Sequence, residues 1–260
     1  MEFKLNSHFE MKFLISFLST LLFLSGISAQ DVVAIIKEGD RLEALLNEKA
    51  AFAKFKEVVR LQPDNLYSLN KCSELCSRIG KRETSEVVRN AYYKAAISYA
   101  TTAIKISPTN AEANCVLAIA WGRISMNSSG KEKIKAAKEI RQHVDIAIKS
   151  DPLNYKAWHV LGRWHFEISN LNFFEKTAVK LLFGSLPPSS LKESIKAFEK
   201  ANMLAKSFVL NNFEMARAYK KDGQKEKAIS ILKAMMNLPN NTEDDINIKN
   251  DGRKLLNDWL

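Results

Sequence analysis

One arrangement of apolar and polar positions recurs along the chain. In EKAAFAKFKEVVRLQPDN, Pro63 is preceded at 12, 8 and 5 residues by Ala51, Phe55 and Val58. In YKAAISYATTAIKISPTN, Pro108 is preceded at the same offsets by Ala96, Ala100 and Ala103. Pro152 follows Ile140, Val144 and Ala147 in the same way. In LKESIKAFEKANMLAKSF the offsets fall on Ser194, Phe198 and Ala201, with Lys206 in place of the proline. Spacings of four and then three put each set on one face of a helix. The proline ends that helix by driving the residue before it out of the helical region.

A second pattern begins six residues past each anchor, with spacing 3, 1, 3. Its members are Leu69, Cys72, Ser73 and Cys76, then Asn114, Leu117, Ala118 and Trp121. Trp158, Leu161, Gly162 and His165 follow, and then Asn212, Met215, Ala216 and Tyr219. The small third residue lets two helices approach closely, and the larger neighbours fill the groove beside it. Gly80 and Gly223 lie four residues past their sets, where a turn between helices is expected. Paired helices of this design are tetratricopeptide units, so the spacing predicts an all-α, tetratricopeptide-like α-solenoid. The last unit runs from Phe208 to about Leu238, with Ala228 and Leu232 in place and Pro239 one residue early. Thr242-x-x-Asp245 then reads as an N-cap pattern for a final helix to Leu260.

The register is loose. Pro63 to Pro108 is 45 residues and Pro108 to Pro152 is 44, against about 34 in a plain repeat. The surplus is expected between helices, at KRETSEVVRN and MNSSGKEKIK. From Gly162 to Ser194 is 32 residues, where a plain unit has about 12, so about 20 are inserted over 171–190. Phe173, Phe174, Ala178, Leu181, Leu182 and Phe183 fall mostly on one face and predict a short inserted helix. Pro187-Pro188-Ser189-Ser190 ends it and caps the next helix at Ser189 or Ser190.

The N-terminus carries a targeting pattern. Phe13 to Leu24 is an apolar run preceded by Lys4 and Lys12 and followed by SGISA, with Ala29 before the cleavage point. It is short of the roughly 20 apolar residues of a membrane span. Residues 1–29 are therefore expected to be a signal peptide and 30–260 the repeat domain, with an uncleaved anchor as the alternative. Met1 and Met11 are both candidate starts. The expected location is the periplasm or the medium, the alternatives being membrane-anchored or cytoplasmic and cytoskeletal.

Composition narrows the function. Of 260 residues, 46% are hydrophobic and 26% charged, ordinary for a globular protein. Lys4 and Lys12 balance Glu2 and Glu10, so the net charge of +10 lies wholly beyond residue 29. A basic surface suits acidic partners, while no Arg-Gly or aromatic RNA-binding signature supports nucleic acid. Three cysteines exclude a four-cysteine zinc site, and Cys72 and Cys76 coincide with inward repeat positions. His8, His143, His159 and His165 form no HExxH and no acid–histidine–nucleophile grouping, and no phosphate loop occurs. The expectation is a non-enzymatic chain with no catalytic residue, metal or cofactor.

Two clusters remain as binding candidates. Trp121, Trp158 and Trp164 fall on first helices of neighbouring units, with Arg163 beside Trp164. They read either as packing between helices or as an aromatic-basic groove for a peptide or an acyl chain. Lys131, Lys135 and Lys138 share one helix face. That face is either solvated or a contact for acidic phospholipid or acidic protein.

GRWHFEISNLNFFEKTAVKLLF, then LLFGSLPPSS before KAFEKANMLAKSF, and the tail LPNNTEDDINIKNDGRKLL resemble the regulator of microtubule dynamics proteins. The resemblance covers roughly 31–260 and is sharpest from Trp158 to Ser190. It implies an all-helical tetratricopeptide-like domain without enzymatic activity, wound as a right-handed superhelix. It also implies microtubule association, and for one branch a mitochondrial tether whose repeat domain binds phospholipid. The departure is the signal: an exported chain, as from a bacterium with a periplasm, does not meet tubulin. The partner expected is a protein or peptide, with acidic phospholipid as the alternative. N-terminal sequencing of the purified protein should find a mature end near Gln30; an intact cytoplasmic chain would overturn the export reading and restore tubulin.

Overall fold

The computed structural model describes residues 29–126, 128–171, 177, 180 and 187–260. The signal segment and the predicted insert residues Phe173, Phe174, Ala178, Leu181, Leu182 and Phe183 lie outside the described residues. Among the described residues there are eleven α-helices and no strand. Ten of them stack as five antiparallel pairs, each helix packing chiefly on its partner. The pairs are α1 (Ala29–Ala44) with α2 (Glu48–Leu61), α3 (Leu66–Arg82) with α4 (Glu86–Ile106), and α5 (Ala111–Ser125) with α6 (Gly130–Ser150). Then come α7 (Tyr155–Ser169) with α8 (Leu191–Leu204), and α9 (Val209–Lys221) with α10 (Lys225–Met235). The last helix, α11 (Asp245–Trp259), covers α9 and α10.

The anchor positions set the joints. Gln62, Ser107, Asp151 and Ala205 are the C-caps of α2, α4, α6 and α8, all with φ between −133° and −145°. Three of them precede proline, which excludes the helical region for them. Ala205 precedes Lys206 and takes the same conformation, so packing holds the joint there without the proline. A tight turn follows, closed in all four cases by an N–H···O bond of 3.1 Å to the C-cap carbonyl. Asn65, Asn110 and Asn154 then cap α3, α5 and α7, each side-chain oxygen accepting the N–H three residues on.

The residue six past the anchor ties the turn in three of the four units, Leu69 being a core residue in the first. Asn114 and Asn212 donate from Nδ2 to the carbonyls of Pro108 (2.9 Å) and Lys206 (3.1 Å). Trp158 donates from its indole Nε1 to the carbonyl of Pro152 at 2.9 Å. The indole thus substitutes for an asparagine amide in tying the turn to the helix after it.

Within a pair, the small third residue meets the residue 12 before the next anchor. Ser73 Oγ donates to the Ala96 carbonyl, and Ser194 Oγ donates to the Gly162 carbonyl, both at 2.8 Å. The hydroxyl can come from either helix, because the backbones approach closely enough for one oxygen to bridge them. At Gly162 the approach is closest: a Cβ there would stand 2.6 Å from the ring of Phe198, which is fully buried.

Three expectations need correction. Gly80 is inside α3, not in a turn; it lets Tyr92 and Tyr93 of α4 pack onto that helix, a Cβ there meeting them at 2.9 Å. Gly223 does turn the chain, with φ of +83°. The surplus residues at KRETSEVVRN and MNSSGKEKIK are not wholly between helices: α4 and α6 each extend to 21 residues and absorb much of it. At the last helix the N-cap is Asp244, not Thr242. Asp245 supplies the reciprocal half of the expected box, its Oδ2 accepting the Thr242 N–H at 2.9 Å and the Asn241 N–H at 2.7 Å.

Gly162→Ala should cost about 1–3 kcal/mol, because the Phe198 ring has no space to retreat into. Chemical denaturation measures it, and a variant as stable as the parent would contradict the close approach.

Candidate functional site

The first helices of successive pairs face inward and line a cavity of about 910 Å³. Its walls come from α3, α5, α6 and α7, from the turn between α8 and α9, and from residues 241–248. Positions 4, 8, 11 and 15 past each anchor lie one turn apart on one helix face, and ten of these sixteen residues line the cavity. The positions are Tyr67, Lys71, Glu74 and Arg78 after Pro63, and Glu112, Val116, Ile119 and Arg123 after Pro108. After Pro152 they are Lys156, Val160, Arg163 and Glu167, and after Lys206 Leu210, Glu214, Arg217 and Lys221.

Most of these charges neutralise one another between units. Lys156 bonds Glu74 at 3.0 Å and also Glu112, so one ammonium on α7 ties α3 and α5 together. Arg78 pairs with Glu43, and Lys71 reaches the same carboxylate at 2.8 Å. Arg163 bonds Glu214 of α9 at 2.5 Å and Glu167 at 3.3 Å, and Arg217 takes the other Glu214 oxygen at 2.8 Å. Burial alone would raise the Glu74 carboxyl, but the charges of Lys156, Arg78 and Lys71 outweigh it and hold the group below the usual carboxylate range.

Segments far apart in sequence meet beside the cavity. The Glu48 N–H donates to Glu243 Oε1 at 2.7 Å, and the Glu243 N–H donates to Glu48 Oε1 at 3.2 Å. Arg82 bonds Glu48 at 2.7 Å, Glu243 at 3.3 Å and Asp244 at 3.4 Å, and Lys81 adds Asp244 at 3.3 Å. Residues 195 positions apart are thereby latched, and the segment leading into α11 lies across the concave side.

Of the residues singled out in the sequence, Arg163 and Trp164 line the cavity. Trp164 is buried, donates from Nε1 to the Ala137 carbonyl at 2.8 Å, and carries the Arg141 guanidinium 5.0 Å from its ring. Trp121 and Trp158 stand on the same tier of helices but do not line it. Trp121 packs against Ala100, Val116 and Leu117 with Lys135 5.4 Å above its ring, and Trp158 ties its own turn. Lys131, Lys135 and Lys138 are exposed on α6, and Lys135 is engaged with Trp121. Arg163 is already committed to two carboxylates, so its charge is spent within the fold.

One residue that the sequence reading passed over stands out. Arg123, in the last turn of α5, lines the cavity and has no hydrogen bond or ion pair among the described residues. Its repeat counterpart Arg78 is neutralised by Glu43. The signal was available: both arginines stand 15 residues past a proline anchor.

Cys72, Cys76 and Cys115 are buried free thiols whose pKa values burial pushes up, which leaves them protonated and unreactive. Among the described residues no group of His, Cys, Asp or Glu is placed to hold a metal ion, and no helix is long and apolar enough to cross a membrane.

Fold and cavity together define an all-α, tetratricopeptide-like solenoid with a groove along its concave side. In solved structures the arrangement is similar to a thermophilic tetratricopeptide-repeat protein of Thermus thermophilus, with a TM-score of 0.61 and 13% identity over 86% of this chain and 98% of that one. The chain belongs to the family described as Regulator of microtubule dynamics protein 1-3, which it matches over residues 35–259. Regulator of microtubule dynamics protein 3 of Xenopus laevis is 29% identical over 147 residues, 56% of this chain and 32% of that protein. The protein 3 of Bos taurus is 25% identical over 240 residues, 87% of this chain and 49% of that one. The chain thus spans a third to a half of the length of these relatives.

His159 connects the site to acid stability. Asn211 Nδ2 donates to the Phe198 carbonyl at 3.0 Å, which leaves Asn211 Oδ1 to accept from His159 Nδ1 at 3.1 Å. Burial, with the Arg163 charge beside it, pushes His159 from 6.5 down to about 3. Unfolded chain therefore binds a proton below pH 6.5 that the fold refuses, and stability falls as pH drops. The loss should reach about 2 kcal/mol at pH 5 and vanish above pH 7. His143 and His165, also held low by burial, act in the same direction. Denaturation across pH 5–7 should show a shallower slope for His159→Gln than for the parent; equal slopes would refute the buried neutral imidazole.

Proposed function

We propose that this chain is a non-enzymatic scaffold that holds a segment of a protein partner in its internal groove. The observation that carries this reading is the cavity of about 910 Å³, whose lining mixes ion-paired side chains with apolar ones. Ile119, Ala137, Ile140, Val160 and Trp164 offer apolar contact, while Lys71, Glu74, Asn241 and Thr242 offer hydrogen bonds. A peptide needs both, because its backbone donors and acceptors must be satisfied when it leaves water. The relatives' names connect them with microtubule dynamics. For this chain tubulin is a partner only in a cytoplasmic setting, and an exported chain would hold a partner outside the cytoplasm.

The test is site-specific photo-crosslinking in the native cell. Met126 is exposed and stands at the edge of the cavity, whereas Val87 is exposed on α4 away from it. A crosslinker at position 126 should capture one defined protein, and one at 87 should not. Capture of the same protein equally from both positions, or from 87 alone, would refute binding in the groove.

A further inference from the structure

We infer that Arg123 is the anchor for a carboxylate side chain of the bound segment, so that the partner presents an Asp or Glu to the middle of the groove. The inference rests on the groove reading above and names its chemistry.

The fold leaves the charge of Arg123 without an ion-pair partner among the described residues. Lys71, Arg78, Lys156 and Arg163 all face the cavity, and each is paired with a carboxylate. Arg123 is part-buried, its Nε lies out of contact with water, and nothing accepts from it. The strongest field on it is that of the Tyr93 phenol, which burial keeps protonated, and the carboxylates that reach Arg123 are spent elsewhere: Asp244 on Arg82 and Lys81, Glu214 on Arg163 and Arg217. Burial lowers the pKa of this guanidinium, and the positive charge of Arg163 works in the same direction. Removing a cation from water without a counter-ion is costly. A fold that already places acids opposite four neighbouring cations gains nothing structurally from leaving this one bare. A carboxylate can meet the guanidinium through two parallel N–H···O bonds, the strong form of this contact.

The surroundings favour a peptide over an acyl chain. Ile119, Ile140 and Trp164 line the cavity together with the ion-paired Lys71, Glu74 and Arg78. An acyl chain would offer no group to the unpaired Arg123 guanidinium, whereas a segment carrying an acid beside an apolar residue meets both the cation and the apolar side chains.

The probe is a random dodecapeptide library displayed on phage and selected on the purified full chain. Binders should be enriched in Asp or Glu beside an apolar residue. For the best of them, Arg123→Met should weaken binding about 10- to 100-fold. Replacing the peptide's acid by its amide should weaken binding to the parent equally, and to the variant hardly at all. Arg123→Met should also melt no lower than the parent, since it removes an unpaired charge. Binders that compete within the cavity yet ignore Arg123→Met would overturn this inference and leave the groove reading intact; a library yielding none would overturn both. A marked fall in melting temperature would show a structural arginine and refute the proposal. Phospholipid that co-purifies with the parent and is lost from Arg123→Met would assign the guanidinium to a phosphate and refute it equally.

Discussion

Glu48 and Glu243 exchange backbone N–H···carboxylate bonds across 195 positions of sequence, and Arg82 bonds both of them together with Asp244. A stack of helix pairs touches only its neighbours and would otherwise present an open crescent. The latch joins the first two pairs to the segment that leads into the last helix and draws that segment across the groove. Breaking one partner of such a buried cluster is expected to cost about 3–5 kcal/mol, because it strands the remaining charges. The Glu48 side chain is wholly buried, so its charge has no recourse to water.

Along the groove, charge pairing connects units that are otherwise held by apolar packing. Lys156 spans three units through Glu74 and Glu112, and Arg163 spans two through Glu214. Such pairs add little net stability but fix how each unit sits on the next. The groove therefore has a set shape before any ligand arrives. Its interior is also nearly neutral, because most of its charges are paired.

The aromatic residues show how one residue type serves different ends. Trp158 ties a turn that Asn114 and Asn212 tie elsewhere, Trp121 closes a packing gap under Lys135, and Trp164 faces the groove. All three lie on first helices, at different offsets from their anchors. Their roles follow from a rotation of about 100° per residue around the helix. Trp158 stands one residue from a buried histidine, and Trp164 one residue from a cavity arginine.

The sequence by itself determined the unit. The offsets of 12, 8 and 5 before each anchor land on residues that are almost all buried, and the four anchors mark identical turns. Local spacing suffices there because a helix pair is held by contacts between residues close in sequence. The same local rules would have exposed the inward face, since Arg78 and Arg123 share one repeat position. Only the tertiary structure decided which of the two is neutralised, because Glu43, Glu214 and Asp244 arrive from other units. It alone decided that Glu48 meets Glu243: the curvature is a small rotation summed over five pairs, and no single spacing encodes the sum.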